Sequence, residues 1–190
     1  MITLLDLWLP ILLSAVIVFV ASSIIWMATP IHKGDYKGPG DQEGPLMELV
    51  RRSGLKPGVF VVPWCDRNTR DPVVRERFMA GPWAMLTVMG SGPKMGKNLS
   101  MWMLHLLMVG IVVAYVVSNA GLARGTSYFL VFRMAATVAL LAHAGYALPM
   151  SIWHGQPWRQ IPGRLFDGVV YALLTGGCFA GFWPASPVIE

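Results

Sequence analysis

The 190-residue chain is 55% hydrophobic and 13% charged, with a net charge of +5 and a mean hydropathy of +0.54. An ordinary soluble domain has about 25% charged residues, so the composition excludes that class and indicates a membrane protein. We predict an all-α membrane protein with four transmembrane helices and a small α+β cytoplasmic cap between helices 1 and 2.

The first transmembrane helix is predicted within residues 1–27, from about Leu4 to Met27. Its length suits the roughly 30 Å hydrocarbon layer, and Pro10 falls within its first two turns, where proline is tolerated. No basic residue precedes the apolar run, and the run is longer than the hydrophobic part of a signal peptide. We therefore expect a retained membrane helix.

Residues 28–98, which we call the cap, are predicted to fold as a small α+β unit. "GPLMELVRRSG" indicates a helix with Pro45 at its first position, and "DPVVRERFMAG" indicates a second helix with Asp71 as its N-cap. The apolar runs at 59–64 and 84–90 can pair as strands. Because large aliphatic residues are few, we expect a marginal core that leans on the helix ends or on a partner.

The stretch "TVMGSGPKMGKNLSMW" ends the cap and contains a Gly-Lys pair of the kind found in phosphate-binding loops. A Walker-type loop needs a glycine separated from this pair by four residues, and a Ser or Thr after it. The chain has Ser91 and Asn98 at those positions, so we predict no nucleotide binding. Lys94 and Lys97 are instead expected to face anionic lipid, each contributing about 1 kcal/mol, with Asn98 as the N-cap of the second span.

Residues 99–190 hold three further predicted spans, at about 99–120, 128–148 and 166–183. Pro149 follows the third span and Pro184 the fourth, and proline does not continue a helix. Small residues in the last two spans predict close helix packing, which membranes favour because lipid offers no hydrophobic driving force. These residues are Gly176, Gly177, Ala180 and Gly181, with Ala172 beside them and Ala135, Ala139 and Ala142 on the third span.

The cap holds eleven of the fifteen lysines and arginines. By the positive-inside rule, this places the cap in the cytoplasm and both termini on the periplasmic or external side of a bacterial inner membrane. Basic and aromatic residues near the cytoplasmic helix ends are predicted to anchor the helices at the interface: Lys94, Lys97, Trp102, Trp153 and Trp158.

Ionisable residues inside spans are candidates for function because they are costly there. Asp6 and Arg133 lie on the same side of the predicted topology and can form an intramembrane pair, although the long stem of Arg133 can also reach the headgroups. Asp167 is predicted at the start of the fourth span, where a carboxylate suits a helix N-terminus and Arg164 is nearby.

His105 and His143 lie on neighbouring predicted spans, where two histidines can hold a haem iron from opposite faces. Counting 1.5 Å per residue places their levels about 10 Å apart, which favours core histidines without a cofactor. His32 and His154 are expected at the interface. No His or Cys spacing indicates a metal site, and no catalytic constellation is evident.

Two longer segments and one short one, "GPWAMLTVMGSGPKMGKNLSMW", "FRMAATVALLAHAGYALPMSIWHGQPW" and "FDGVVYALLTGG", resemble a family of small uncharacterised bacterial inner-membrane proteins. The resemblance covers about residues 80–183. It implies four spans and a bacterial source, and it brings no known activity, cofactor or catalytic residue.

We therefore expect an accessory or structural subunit of a larger inner-membrane assembly, respiratory or photosynthetic, without catalytic activity or a cofactor of its own. The expected partners are anionic lipids and other membrane subunits or a second copy, and not nucleic acid or nucleotide. Two alternatives stay open. One is a small oligomeric transporter or channel subunit lined by Arg133, Asn119 and Thr175, and the other is an electron carrier that binds haem through His105 and His143.

Overall fold

The computed structural model describes residues 2–66 and 69–186, and this part of the chain is mostly helical. Within it, three helical stretches are long and apolar enough to cross a membrane: Leu5–Ala28, Met95–Asn119 and Tyr128–Trp153. Between 22% and 33% of their most apolar windows is buried inside the protein, so most of their apolar surface faces outward, as contact with lipid requires. The described residues therefore contain three of the four predicted spans as candidate membrane helices, which is consistent with a membrane protein.

The first span consists of a 3-10 turn, Leu5–Leu7, and helix α1, Trp8–Ala28. Pro10 is the third residue of α1, where its missing N–H leaves no helical hydrogen bond unmade. The helix ends at Ala28 because Thr29 is extended, with ψ of 159°, as expected of a residue that precedes proline.

The cap contains two helices and two strands in alternating order, as predicted. They are α2, Glu43–Ser53; β1, Gly58–Val62; α3, Pro72–Ala80; and β2, Ala84–Val88. The strands pair antiparallel, with Phe60 opposite Leu86. The predicted pairing of these two strands is therefore confirmed.

Local signals set the ends of the cap helices. Asp71 caps α3 by accepting a 2.9 Å hydrogen bond from the backbone N–H of Val73, as predicted. Gly54 ends α2 with a φ of +63°, a conformation that glycine adopts without strain. The prediction for the start of α2 was wrong, because a 3-10 turn at Gly40–Gln42 leads into the helix and makes Pro45 its third residue.

The second span is helix α4, Met95–Asn119, and it begins four residues earlier than predicted. Lys94 is its N-cap position, and Asn98 lies inside the first turn, where its backbone N–H bonds the Lys94 carbonyl at 2.9 Å. The prediction of Asn98 as N-cap was therefore wrong. The glycine-rich stretch before α4 runs from a strand to a helix, as a phosphate-binding loop does. However, β2 belongs to an exposed two-stranded sheet and not to the buried sheet that such a loop follows.

The third span is divided into helix α5, Tyr128–Ala144, and helix α6, Ala147–Trp153. Pro149 was predicted to follow the span, and this was wrong. It lies in the first turn of α6, where proline is tolerated. The last helix, α7, is Ile161–Gly181 and begins five residues before the predicted start. Its charged residues and five glycines make it the least apolar of the four long helices.

The long helices form a bundle in the cyclic order α1–α4–α5–α7, with α5 and α7 in closest contact. A Cβ added at Gly176 would lie 2.8 Å from Cβ of Ala136, and one added at Gly168 would lie 2.6 Å from Cβ of Ala144. The two helices can approach this closely only because both residues are glycine.

The core of the bundle contains side chains with no exposed surface, among them Val113, Val117, Val131 and Phe179. The cap is the opposite. Among its described residues only His32 is buried, and none of those from Lys33 to Asn98 is. The predicted marginal core of the cap is therefore absent from the described residues.

Candidate functional site

The most distinctive polar feature of the described chain lies where α1 leads into the cap. Two turns follow the end of α1, with hydrogen bonds from the Lys33 N–H to the Pro30 carbonyl and from the Asp35 N–H to the His32 carbonyl. They fold the chain back, so that the His32 imidazole stacks on the Trp26 indole with centroids 3.9 Å apart and planes 3° from parallel.

His32 lies between two carboxylates. Its Nδ1 is 2.8 Å from Oδ2 of Asp35, and its Nε2 is 3.0 Å from Oδ2 of Asp167. A neutral imidazole has one N–H and ionised carboxylates only accept, so two such contacts require an additional proton. The imidazolium form meets this requirement, because each of its nitrogens donates to one carboxylate.

Opposing effects act on the pKa of His32, whose side chain is buried. Burial alone lowers the pKa, but hydrogen bonds to Asp35 and Asp167 and the charges of both residues outweigh burial. The net result is a pKa above the ordinary value of 6.5. The cluster therefore holds a proton at a position where the cap meets the bundle.

Further hydrogen bonds to the cluster come from α7 and from Gln160, its N-cap residue. Asp167 also accepts a 3.1 Å hydrogen bond from the Trp26 indole N–H. Gln160 donates to the backbone carbonyl of Asp35 at 2.7 Å and accepts from Arg164 at 3.2 Å. We call Trp26, His32, Asp35, Gln160, Arg164 and Asp167 the proton cluster.

The start of α7 is shaped to receive the imidazole. A Cβ added at Gly163 would lie 3.1 Å from Cε1 of His32 and 3.3 Å from a side-chain carbon of Ile31, so glycine makes room for the turn. The proton cluster can bind a proton and join α1, the cap and α7. No group of three or more His, Cys, Asp or Glu in the described residues has an arrangement that could hold a metal ion.

Asp167 was predicted at a helix N-terminus, and this prediction was wrong. Because α7 begins at Ile161, Asp167 lies in its second turn, and it binds His32 and Trp26 instead of free backbone N–H groups. The role of His32 was missed. The signal available was the "PIHKGD" stretch, in which a proline stop is followed by His and Asp three residues apart.

The predicted pair of Asp6 and Arg133 is also not the pair observed. The guanidinium of Arg124, in the loop after α4, lies 2.6 Å from Oδ1 of Asp6. Hydrogen bonds from the backbone and hydroxyl of Thr3 complete the environment of this carboxylate. Asp6 therefore ties the first turn to the loop, and it leaves Arg133 without this partner.

The two histidines proposed as haem ligands are closer than predicted. The rings of His105 and His143 are in edge-to-face contact with centroids 6.4 Å apart, so the predicted 10 Å difference in level was wrong. His105 also stacks on Trp102 at 5.3 Å, and His143 meets Tyr171 at 5.4 Å. The predicted level of His143 was counted from Trp153 along one straight helix, but the chain breaks between these two residues, where α5 ends at Ala144 and α6 begins at Ala147.

The predicted interface anchors occupy different environments. Lys94, Lys97, Trp153 and Trp158 are exposed at the end of the bundle next to the cap. Trp102 is half-buried, and its indole N–H donates a 3.0 Å hydrogen bond to the hydroxyl of Ser22 on α1. Trp102 therefore joins two helices.

The predicted packing residues are correct only in part. Gly176 and Ala180 are buried, whereas Gly177 has only an ordinary contact, 3.8 Å from the Tyr128 hydroxyl, and Gly181 has no neighbour within 4 Å. Their GxxxG spacing is therefore not at the contact. The buried ladder on α7 has the same four-residue spacing but a different phase, and it comprises Gly168, Ala172, Gly176 and Ala180. On α5, Ala135 and Ala139 are buried and Ala142 is exposed.

The residues suggested as pore-lining groups do not share one face. Thr175 is buried beside His143, while Arg133 and Asn119 are exposed. Within one copy of the chain, these three residues therefore line no common path.

Comparison with protein-family models, curated proteins and solved structures finds no match to this chain.

Proposed function

We propose that the chain is an accessory subunit of a larger membrane assembly and that the cap is its partner-binding arm. The observation that carries the proposal is that no described residue from Lys33 to Asn98 is buried. Ordering a residue costs about 1–2 kcal/mol of backbone entropy, which folded segments recover mainly by burial. A segment with four regular elements and no buried side chain is therefore expected to bury its surface against something else.

The cap exposes large apolar groups on both faces of its two-stranded sheet. Val59 and Val61 are 63% and 38% exposed, and Val62, which points to the opposite face, is 51% exposed. Trp64 and Trp83, which flank the strands, are 71% and 64% exposed. A lipid surface can cover only one face of such a sheet. A protein partner can cover both faces and can also pair with the free edges of the two strands. This favours a protein partner.

The proposal includes a fourth membrane span, α7. Its 21 residues match the length of α1, and its close contacts with α5 run antiparallel from Gly168 beside Ala144 to Gly176 beside Ala136. These contacts support a position of α7 in the same layer as α5. Its lower hydropathy suits its position, because α7 has more buried residues than any other described helix.

The orientation and setting are also part of the proposal. The concentration of lysine and arginine in the cap supports a cytoplasmic cap and external termini, in a bacterial inner membrane. The resemblance to small bacterial inner-membrane proteins supports the same setting. Labelling of Cys65, which is not buried, from each side of sealed vesicles tests the orientation.

The experiment that tests the partner-binding arm is native purification in mild detergent followed by identification of the polypeptides that come with the chain. We expect companions with the wild type and their loss with the triple variant Val59→Thr, Val61→Thr and Trp64→Gln. Threonine keeps the β-branched shape and the strand. The matched control, Trp153→Gln, changes an exposed tryptophan outside the cap and should retain the companions.

Two results would contradict the proposal. One is a wild-type chain that purifies alone from its native membrane. The other is a cap variant that keeps every companion although its exposed apolar surface is gone. Far-UV circular dichroism of each variant verifies that the helices persist.

The contact between His105 and His143 favours a second candidate, a haem-binding electron carrier. Two neighbouring imidazoles are what a shared iron needs, and the described residues place them together. An absorption spectrum of the chain purified from a haem-replete membrane tests this function. A Soret band that disappears in the His143→Ala variant supports it, and a wild-type spectrum without that band rules it out.

A further inference from the structure

A groove runs along the outer side of the bundle between α5 and α7. Its volume is about 740 Å³. The walls are apolar and come mainly from Phe129, Phe132, Leu140, Val169 and Leu173, and Arg133 is the single charged residue that lines it. We call this feature the α5–α7 groove.

Arg133 is exposed in the groove, and in the described residues its guanidinium has no hydrogen bond or ion pair. It lies five residues after Tyr128, the first residue of α5. At 1.5 Å per residue this is about 7–8 Å along the helix axis, close to the level at which lipid headgroups meet the hydrocarbon layer. An unpaired cation at such a depth needs an anion.

We propose that the α5–α7 groove binds one anionic phospholipid, with its phosphate on Arg133 and an acyl chain along the apolar walls. The planar guanidinium offers paired N–H donors that match phosphate oxygens. The groove extends from Ser127 to Leu140, about 20 Å along the helix, which is more than half of the roughly 30 Å hydrocarbon layer. One leaflet's acyl chain therefore has the required length.

The charges of this chain disfavour a second copy as the occupant. A helix in the groove would need a free carboxylate opposite Arg133. Two carboxylates are present in the described membrane helices and their first turn: Asp6, which is bound to Arg124, and Asp167, which is bound to His32. A phospholipid, in contrast, has its phosphate at the correct level before it binds.

Native mass spectrometry of the detergent-purified full chain with added phosphatidylglycerol or phosphatidylcholine tests the proposal. We expect one retained phosphatidylglycerol per chain and at least tenfold less phosphatidylcholine. Arg133→Gln should reduce phosphatidylglycerol retention about tenfold, and Arg133→Lys should reduce it less because the charge remains. The matched control, Arg159→Gln, removes an exposed cation at the other end of the bundle, in the turn before α7, and should retain the lipid.

A second variant separates binding in the groove from simple attraction to charge. Thr137→Trp keeps Arg133 and fills the groove one helical turn further along. It should also abolish retention, and excess inorganic phosphate should not displace the lipid from the wild type. Melting temperatures within a few degrees of the wild type verify that the variants fold.

Three results would overturn the proposal. They are equal retention of the two lipids, full retention by Arg133→Gln or Thr137→Trp, and displacement of phosphatidylglycerol by inorganic phosphate. A dimer lost in Thr137→Trp, with no bound lipid, would assign the groove to a second copy. None of these results bears on the partner-binding arm, whose test uses cap residues.

Discussion

The bundle and the cap show two different ways in which a sequence forms helices and strands. In the bundle, small residues on α5 and α7 let backbones meet, and side chains such as Val131 and Phe179 have no exposed surface. In the cap, Asp71 begins α3 and Gly54 ends α2, although no described residue from Lys33 to Asn98 is buried. Local signals are therefore enough to place elements, and they do not create a core.

His32 is the exception that connects the two regions, since it belongs to the cap and is buried against α7. The His32→Ala variant would leave Asp35 and Asp167, whose carboxylate side chains are each only 9% exposed, without their shared cation. We expect it to lower the free energy of unfolding by about 3–5 kcal/mol, measured by denaturation in detergent. His154→Ala, which removes an exposed histidine, should change it by less than about 0.5 kcal/mol. Equal effects of the two variants would contradict the proton cluster as the joint.

The α5–α7 contact can be tested with two neighbouring glycines. Gly176→Ala places a methyl group 2.8 Å from Cβ of Ala136 and 3.0 Å from the carbonyl oxygen of Phe132. Such overpacking should cost about 1–3 kcal/mol of unfolding free energy. Gly177→Ala meets only the Tyr128 hydroxyl at 3.8 Å and should be neutral within about 0.5 kcal/mol. If Gly177→Ala were the more harmful variant, the Gly177–Gly181 pair, and not Gly176, would lie at the contact with α5.

The connection between cap and bundle should depend on pH. The pKa of His32 is raised in the folded protein, so the folded state binds the proton more tightly than the unfolded state. The resulting stability is fully present below the ordinary pKa of 6.5 and is lost as pH rises through the higher folded value. Melting temperatures of wild type and His32→Gln should therefore converge as pH rises from 6 to 9. A constant difference over this interval would disprove the linkage.

The smallest expected effect concerns the cap alone. Asp71→Ala removes the bond to the Val73 N–H and should destabilise α3 by about 1 kcal/mol. Because α3 has no buried residue, this loss should appear as faster amide hydrogen exchange in α3, without a change in the melting temperature of the bundle. Asp41→Ala, in the turn before α2, is the control. A lower melting temperature for Asp71→Ala would show that cap and bundle fold as one unit.

Residues whose structure depends on their immediate neighbours were predicted well. The strands β1 and β2, the Asp71 cap and the three most apolar helical stretches follow from β-branched or apolar runs, capping residues and the length of apolar runs. Helix starts were less accurate. The first turns of α4 and α7 contain polar residues, and in the sequence these look like loop rather than helix.

Contacts between distant residues were predicted poorly. The partners of Asp6, the contact of His105 with His143 and the burial of His32 depend on helix tilt, helix rotation and a turn after Pro30. None of these is encoded in the spacing of residues along one helix. For the same reason both phases of small residues on α7 were identified, the Gly177–Gly181 pair and the Ala172, Gly176 and Ala180 stripe, but their spacing alone does not tell which phase is buried against α5.

The sequence by itself determined the membrane class, the order of the elements and the composition of the cap, because these follow from local hydropathy, turn chemistry and charge. Only the tertiary structure decided which glycines touch α5, that Arg124 rather than Arg133 binds Asp6, and that one histidine of the cap is held between two carboxylates. Those outcomes depend on distances between residues far apart in the chain, which are determined when the helices pack together.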